Sequence, residues 1–176
     1  PDLSGFFMAL GLPVLQGYGQ TEAGPVVSVN LPWANRRHTV GPPLKGVECR
    51  IAEDGEVLVR GDLVMTGYWN NPEATAAALT PPPGETDPWL HTGDVGRWED
   101  GPSGRELRIV DRKKDIMITA GGKNITPSEI ENALRFSPYI KEAIVIADRR
   151  RFVSALIQID FESTSKWAEE QGLTYT

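Results

Sequence analysis

"DRKKDIMITAGGKNITPSEIE", residues 111–131, opens with five charged residues set between two apolar runs, "ELRIV" (106–110) and "IMIT" (116–119). A short polar connector between apolar strands suits a passage from one folded body to the next. Further on, Gly121 and Gly122 interrupt the strand. Thr126 followed by Glu129 then reads as a capping box that opens a helix with Ile130 and Leu134 on its apolar face. Beyond that helix, "EAIVIA" (142–147) and "SALIQI" (154–159) read as strands, and "STSKWAEEQG" (163–172) as a helix stopped at Gly172.

Upstream, glycine turns and short strands dominate. In "VECRIAEDGEVLVRG" (47–61), alternating runs flank Asp54-Gly55, which predicts a hairpin on a type I′ turn. Asn71 and Pro72 predict a capped helix in "NNPEATAAAL" (70–79). "TPPPGETDP" (80–88) holds four prolines and is a surface loop. "DLSGFFMALGLP" (2–13) reads as a short apolar helix, and "VLQGYG" (14–19) as a buried strand entering a glycine turn. Gly41, Pro42 and Pro43 look structural, and the five tryptophans belong by default to the core.

With 176 residues, 40% hydrophobic and 24% charged, the chain has the balance of a globular protein of one ordinary domain or two small ones. A net charge of -6 argues against a nucleic-acid partner, which calls for a basic face. Cys49 is the single cysteine, so no intrachain disulfide forms, which fits a reducing, cytoplasmic setting. Two histidines and one cysteine make no zinc site. No apolar run approaches the ~18 residues of a membrane span, and no basic amphipathic helix supports attachment to a membrane surface.

"LQGYGQTEAGP" (15–25) carries the most chemistry in the least sequence. On the residues alone it is either a tight turn with a solvated glutamate or a site. In the second case, the ring of Tyr18, the hydroxyl of Thr21 and the carboxylate of Glu22 meet a base, a phosphate and a metal ion. Gly17 and Gly19 would let the backbone come close to such a ligand.

Four stretches in this order, "GYGQTE" (17–22), "GEVLVRG" (55–61), "HTGD" (91–94) and "DRKKDIMITAGGKNITPSEIE", resemble the AMP-forming adenylating enzymes. The last is similar to the acyl-CoA ligase branch, long-chain fatty acid ligases above all. Peptide-synthetase adenylation domains carry a different run there. The resemblance implies an α/β (α+β) chain. Residues 1–111 would be the end of a large domain that includes a distorted β-barrel, 112–114 a hinge, and 115–176 an incomplete small α+β domain.

The resemblance also implies roles. Tyr18 would pack on adenine, Thr21 would meet the phosphate, and Glu22 would hold Mg²⁺. Asp94 would take the ribose hydroxyls, and Arg112 would contact ribose or phosphate. Lys114 would be the hinge residue. Gly121 and Gly122, with Lys123, would lie in the loop that enters the site for thioester formation. His91 is given no catalytic role, and Asp111, Lys113 and Asp115 read as solvated charges. The implied reaction joins a carboxylic acid to AMP from ATP, with Mg²⁺, and passes the acyl group to coenzyme A.

Two elements of that family, a phosphate loop ending in Pro-Lys-Gly and a C-terminal lysine in "PKTxxGK", have no match between Pro1 and Thr176, and Lys166 lacks that context. The chain is therefore expected to be a fragment of the enzyme that does not act alone. The other readings are a non-catalytic module of the same fold, or a ligase of the family that uses an aryl acid or a carrier-protein acceptor.

Overall fold

The structure, a computed structural model, describes residues 3–173. The chain divides into two compact units, Pro1–Lys114 and Asp115–Thr176.

In the first unit a short helix, α1 (Leu3–Ala9), leads to β1 (Gly17–Tyr18), which pairs antiparallel with β2 (Ser28–Val29). The strand expected over 14–19 is reduced to these two residues, and Leu15 is exposed because no layer covers it. The hairpin forms as expected from β3 (Glu48–Ile51) and β4 (Glu56–Arg60). Its turn does not. Ala52 and Glu56 pair across a loop of three residues, and the Gly55 N–H donates back to the Ala52 carbonyl at 2.9 Å. Only Gly55 has positive φ, at 86°, whereas a type I′ turn needs Asp54 there as well. The result is a type I turn closed by a left-handed glycine.

Asn71 caps α2 (Pro72–Ala78), its Oδ1 accepting from the Ala74 N–H at 3.1 Å, and β5 (Leu79–Thr80) follows directly. Two long strands, β6 (Trp89–Gly101) and β7 (Gly104–Arg112), complete a five-stranded sheet. β4 runs along one edge of β6; β5 and then β7 share the other. β4 is therefore an inner strand, and Glu56, Val57, Leu58 and Val59 are all buried. Val57, Val59, Leu90 and Leu107 form the core together with Ala23 and Val27. Among the described residues no strand pairing closes this sheet, so the barrel expected in the large domain is not confirmed.

The second unit pairs β8 (Met117–Ile118) with β9 (Asn124–Ile125), then runs through α3 (Pro127–Arg135), β10 (Ile140–Ile146), β11 (Ser154–Ile159) and α4 (Phe161–Glu170). β10 and β11 are antiparallel, and Ile125, Val145 and Ala147 form a small core to which Ile130 contributes. Thr126 stands at the cap position of α3, but its hydroxyl makes no capping bond, so the expected capping box is not formed. Pro127, with φ fixed by its ring, starts this helix instead. α4 begins ahead of the expected residue: Asp160 caps it, accepting from Ser163 N–H at 2.9 Å. It ends as expected at Gly172, in a Schellman pattern with Leu173 N–H on the Ala168 carbonyl. The tryptophans depart from the core assignment: Trp89 is buried, but Trp33 and Trp69 are 80% and 98% exposed.

Candidate active site

Thr21, Glu22 and Ala23 form one 3-10 turn. Ala23 is fully buried and fixes it to the core, which leaves Thr21 exposed and Glu22 half-buried. Gly19, just before the turn, is packed against the chain's own backbone: a Cβ there would lie 1.7 Å from the Pro25 carbonyl oxygen. The close approach that this glycine permits in the structure is thus to Pro25.

Beside the turn stands a three-residue cluster. The Tyr18 hydroxyl donates to Asp94 Oδ2 at 2.6 Å, and Arg112 Nε lies 3.0 Å from Asp94 Oδ1. β1, β6 and β7 bring these side chains together, with Asp94 opposite Arg112 in the β6–β7 ladder. Asp94 sits within β6, where the register against β4 shifts and Gly93 takes φ of 71°. Such a bulge re-aims a side chain without ending the strand. Thr92 holds it in place: its hydroxyl donates to the Val57 carbonyl at 2.7 Å and accepts from the Asp94 N–H at 3.1 Å. Burial, and then the hydrogen bond to Asp94, push the Tyr18 phenol well above its ordinary pKa, so it stays a donor.

A cleft of about 440 Å³ is lined by Gly19, Thr21, Glu22, Tyr68, Thr92 and Arg112 among others; of the cluster only Arg112 lines it, and Asp94 is buried. Glu22 Oε1 accepts from the Tyr68 hydroxyl at 2.9 Å, and its Oε2 has no protein donor among the described residues. No group of three or more acidic, histidine or cysteine side chains that could cage a metal occurs among the described residues. The residues present nonetheless fit Mg²⁺, which keeps several waters and takes one or two carboxylates together with substrate phosphates. Gly17 lines a separate recess of about 310 Å³ with Gln16, His38 and Val40.

The sequence reading missed Tyr68 and also a buried node behind the cleft. Glu56, 5% exposed, accepts from Gly93 N–H at 2.9 Å, from Lys113 Nζ at 2.9 Å, and meets His91 Nδ1 at 3.1 Å. Lys113 also reaches Asp54 at 2.6 Å, so it is an anchored charge and not the solvated one expected. Burial alone would push Glu56 up; the Lys113, His91 and Gly93 donors outweigh it and hold the carboxyl below its ordinary range. Nothing in "GEVLV" marks Glu56 as buried: a carboxylate at the start of a strand, beside a glycine turn, reads as exposed, and only the strands on either side of β4 bury it.

Lys114 lies in a 3-10 turn, Lys113–Asp115, at the end of the first unit. Gly121 and Gly122 belong to the second, in the exposed turn between β8 and β9. Gly122 has φ of 78°, and its N–H donates to the Thr119 carbonyl at 2.9 Å. A Cβ at either glycine meets nothing within 4 Å.

This architecture is that of adenylate-forming enzymes. O-succinylbenzoate coenzyme A synthetase from Bacillus subtilis, solved in complex with AMP, superposes with a TM-score of 0.72 at 28% identity, over 97% of this chain and 37% of that one. Residues 1–69 match the family described as AMP-binding enzyme, and 114–174 the AMP-binding enzyme C-terminal domain. The chain belongs to the AMP-binding enzyme family. A long-chain-fatty-acid–CoA ligase of Mycobacterium bovis, FadD15, is 42% identical over 98% of this chain and 27% of its own length. Human long-chain-fatty-acid–CoA ligase 6 is 34% identical over the whole of this chain and 26% of its own length. The chain thus spans about a quarter of the length of these curated relatives.

Proposed function

We propose that this chain is part of an ATP-dependent, AMP-forming ligase that activates a long-chain fatty acid as its acyl adenylate and passes the acyl group to coenzyme A in the cytoplasm. One observation carries the reading: Thr21, Glu22 and Arg112 line a single cleft, and Arg112 is paired with Asp94, which accepts from the Tyr18 hydroxyl. The identity to FadD15 supports the fatty-acid assignment.

In this reading Asp94 accepts the ribose hydroxyls. Tyr18 and Arg112 each occupy one of its oxygens, and a carboxylate has about four lone-pair sites, so two remain. Arg112 is half-exposed and lines the cleft, so its outer guanidinium N–H groups are offered to a phosphate while Nε stays on Asp94. Tyr18 keeps Asp94 in place and turns its ring toward the base. The Thr21 hydroxyl donates to the α-phosphate, where charge builds as the carboxylate attacks. Glu22 would hold Mg²⁺, which when bound offsets charge on the phosphates.

The hinge, proposed from sequence over 112–114, narrows to Lys114, because Arg112 is the last residue of β7 and Lys113 is ion-paired to Asp54 and Glu56. Gly121 and Gly122 serve the second half-reaction, the attack of the coenzyme A thiol, on an exposed turn without bulk.

The test is acid-dependent exchange of pyrophosphate into ATP by the whole ligase. A long-chain fatty acid is expected to support exchange at least about tenfold faster than an aryl acid such as o-succinylbenzoate, since a pocket shaped for one discriminates against the other. Preference for the aryl acid would move the protein to the other branch of the family. No exchange with any acid would leave a non-catalytic module.

A further inference from the structure

The segment Met65–Tyr68 grips Glu22 at two points. Met65 N–H donates to the Glu22 main-chain carbonyl at 2.9 Å, and the Tyr68 hydroxyl donates to Glu22 Oε1 at 2.9 Å. The segment is itself held firmly. A Cβ on Gly24 would meet the Leu63 carbonyl at 2.9 Å, and a Cβ on Gly67 would meet the Thr75 side chain at 2.7 Å. Tyr68 N–H donates to Thr75 Oγ1 at 2.9 Å, which ties the segment to the capped start of α2. The carboxylate of Glu22 is therefore aimed by a scaffold that the turn 21–23 does not contain.

We propose that Tyr68 is a positioning residue for a divalent cation bound with the nucleotide: by occupying Oε1 it presents Oε2 of Glu22 to the ion in one orientation. This rests on the reading of Glu22 as the metal carboxylate. A glutamate on a single turn has three rotatable bonds, and immobilising such a side chain costs free energy at the moment of binding. A phenol that holds one oxygen beforehand removes part of that cost. It leaves a single oxygen for the ion, the arrangement suited to a cation that keeps most of its waters and shares the rest with phosphate. Donors that orient a metal carboxylate affect affinity without touching the metal.

The test uses Mn²⁺ as the probe, with its free fraction read by electron paramagnetic resonance, in the presence of ATP and the whole ligase. Wild type, Tyr68→Phe and Glu22→Gln are compared, with AMP binding measured without metal as the control for the fold. Tyr68→Phe is expected to weaken Mn²⁺ binding in the ternary complex about tenfold and to leave metal-free AMP binding unchanged. If Tyr68→Phe binds Mn²⁺ as wild type does while Glu22→Gln loses it, the positioning role is overturned and Glu22 keeps its place. If Glu22→Gln binds Mn²⁺ as wild type does, the metal reading of Glu22 fails, and the role of Tyr68 fails with it. If Tyr68→Phe lowers AMP binding equally, the hydroxyl supports the cleft as a whole, and the specific role is overturned.

Discussion

Replacing Gly19 by alanine is expected to unfold the wall of the cleft. The added Cβ would stand 1.7 Å from the Pro25 carbonyl oxygen, 2.6 Å from its carbon and 2.8 Å from the Val26 Cα. All three are backbone atoms, so no side chain can rotate out of the way. The loop cannot simply widen. Val27 N–H is bonded to the Tyr18 carbonyl at 2.8 Å, and Val27 and Ala23 are both fully buried. Overpacking usually costs about 1–3 kcal/mol; here, against the backbone of Pro25 and Val26, the cost is expected above about 3 kcal/mol. Gly121→Ala supplies the contrast. That glycine has no positive φ and no neighbour, so its cost should stay within about 0.5 kcal/mol. Urea unfolding of the two variants beside wild type reads the difference. Equal midpoints would show that residues 19–25 have room that the structure denies them.

Glu56 is the second position where a large loss is expected. Its carboxylate satisfies the N–H of Gly93 in the bulge before Asp94 and the ammonium of Lys113 just after Arg112. One buried side chain thus secures both strand segments that carry the Asp94–Arg112 pair. Glu56→Ala leaves the Gly93 donor and His91 Nδ1 without that acceptor. Lys113 keeps Asp54 and is partly solvated, so the loss should be smaller than for a fully buried pair, at about 2–3 kcal/mol. The pH dependence has a definite sign. A carboxyl held below its ordinary range when folded stabilises the fold above that range and loses the contribution as pH falls through the folded value. The stability gap between wild type and Glu56→Gln should therefore be full at pH 7 and shrink as pH falls below the ordinary glutamate range toward the depressed folded value. Glu99 and Glu106 are held low as well, are common to both proteins and cancel in the difference, whereas Asp54 shares Lys113 with Glu56 and belongs to the same effect. A gap that widens on acidification would contradict the assignment.

Three helix starts show what local sequence can and cannot reveal. Asn71-Pro72 announces α2 because cap and first turn are contiguous and the bond is made within four residues. At α3 the same kind of signal, Thr126 with Glu129, places the helix correctly but misstates its chemistry, since the Thr126 side chain makes no capping bond and Pro127 starts the first turn. Asp160 caps α4 in the plain, and only the strong apolar strand before it hides the signal. Asp54-Gly55 marks a hairpin but leaves its loop length open, because Gly55 serves a three-residue loop as well as a two-residue one.

The candidate site divides in the same way. Thr21 and Glu22 are three and four residues from Tyr18 in a marked motif, and Asp94 and Arg112 lie in others. Their meeting at 2.6 and 3.0 Å depends on β1, β6 and β7 lying together, which motif order suggests but no single stretch encodes. Tyr68 and Glu56 act 46 and 37 residues away from their partners Glu22 and Gly93. Each sits in a segment whose local pattern is fully explained by a turn or a strand, so nothing in the stretch itself announces the long-range bond.

In the proposed function Asp94, held by Tyr18 and Arg112, receives the ribose of the adenylate. Equilibrium binding of AMP and of 2′,3′-dideoxy-AMP to the whole ligase, wild type and Asp94→Asn, tests it most directly. Hydrogen bonds to a charged acceptor are the strong ones, so wild type is expected to prefer AMP by about ten- to a hundredfold. In Asp94→Asn that preference should shrink below about threefold, through loss of AMP affinity with little change for the dideoxy nucleotide. A wild type that binds both nucleotides alike, or a variant that keeps the full preference, would contradict the account.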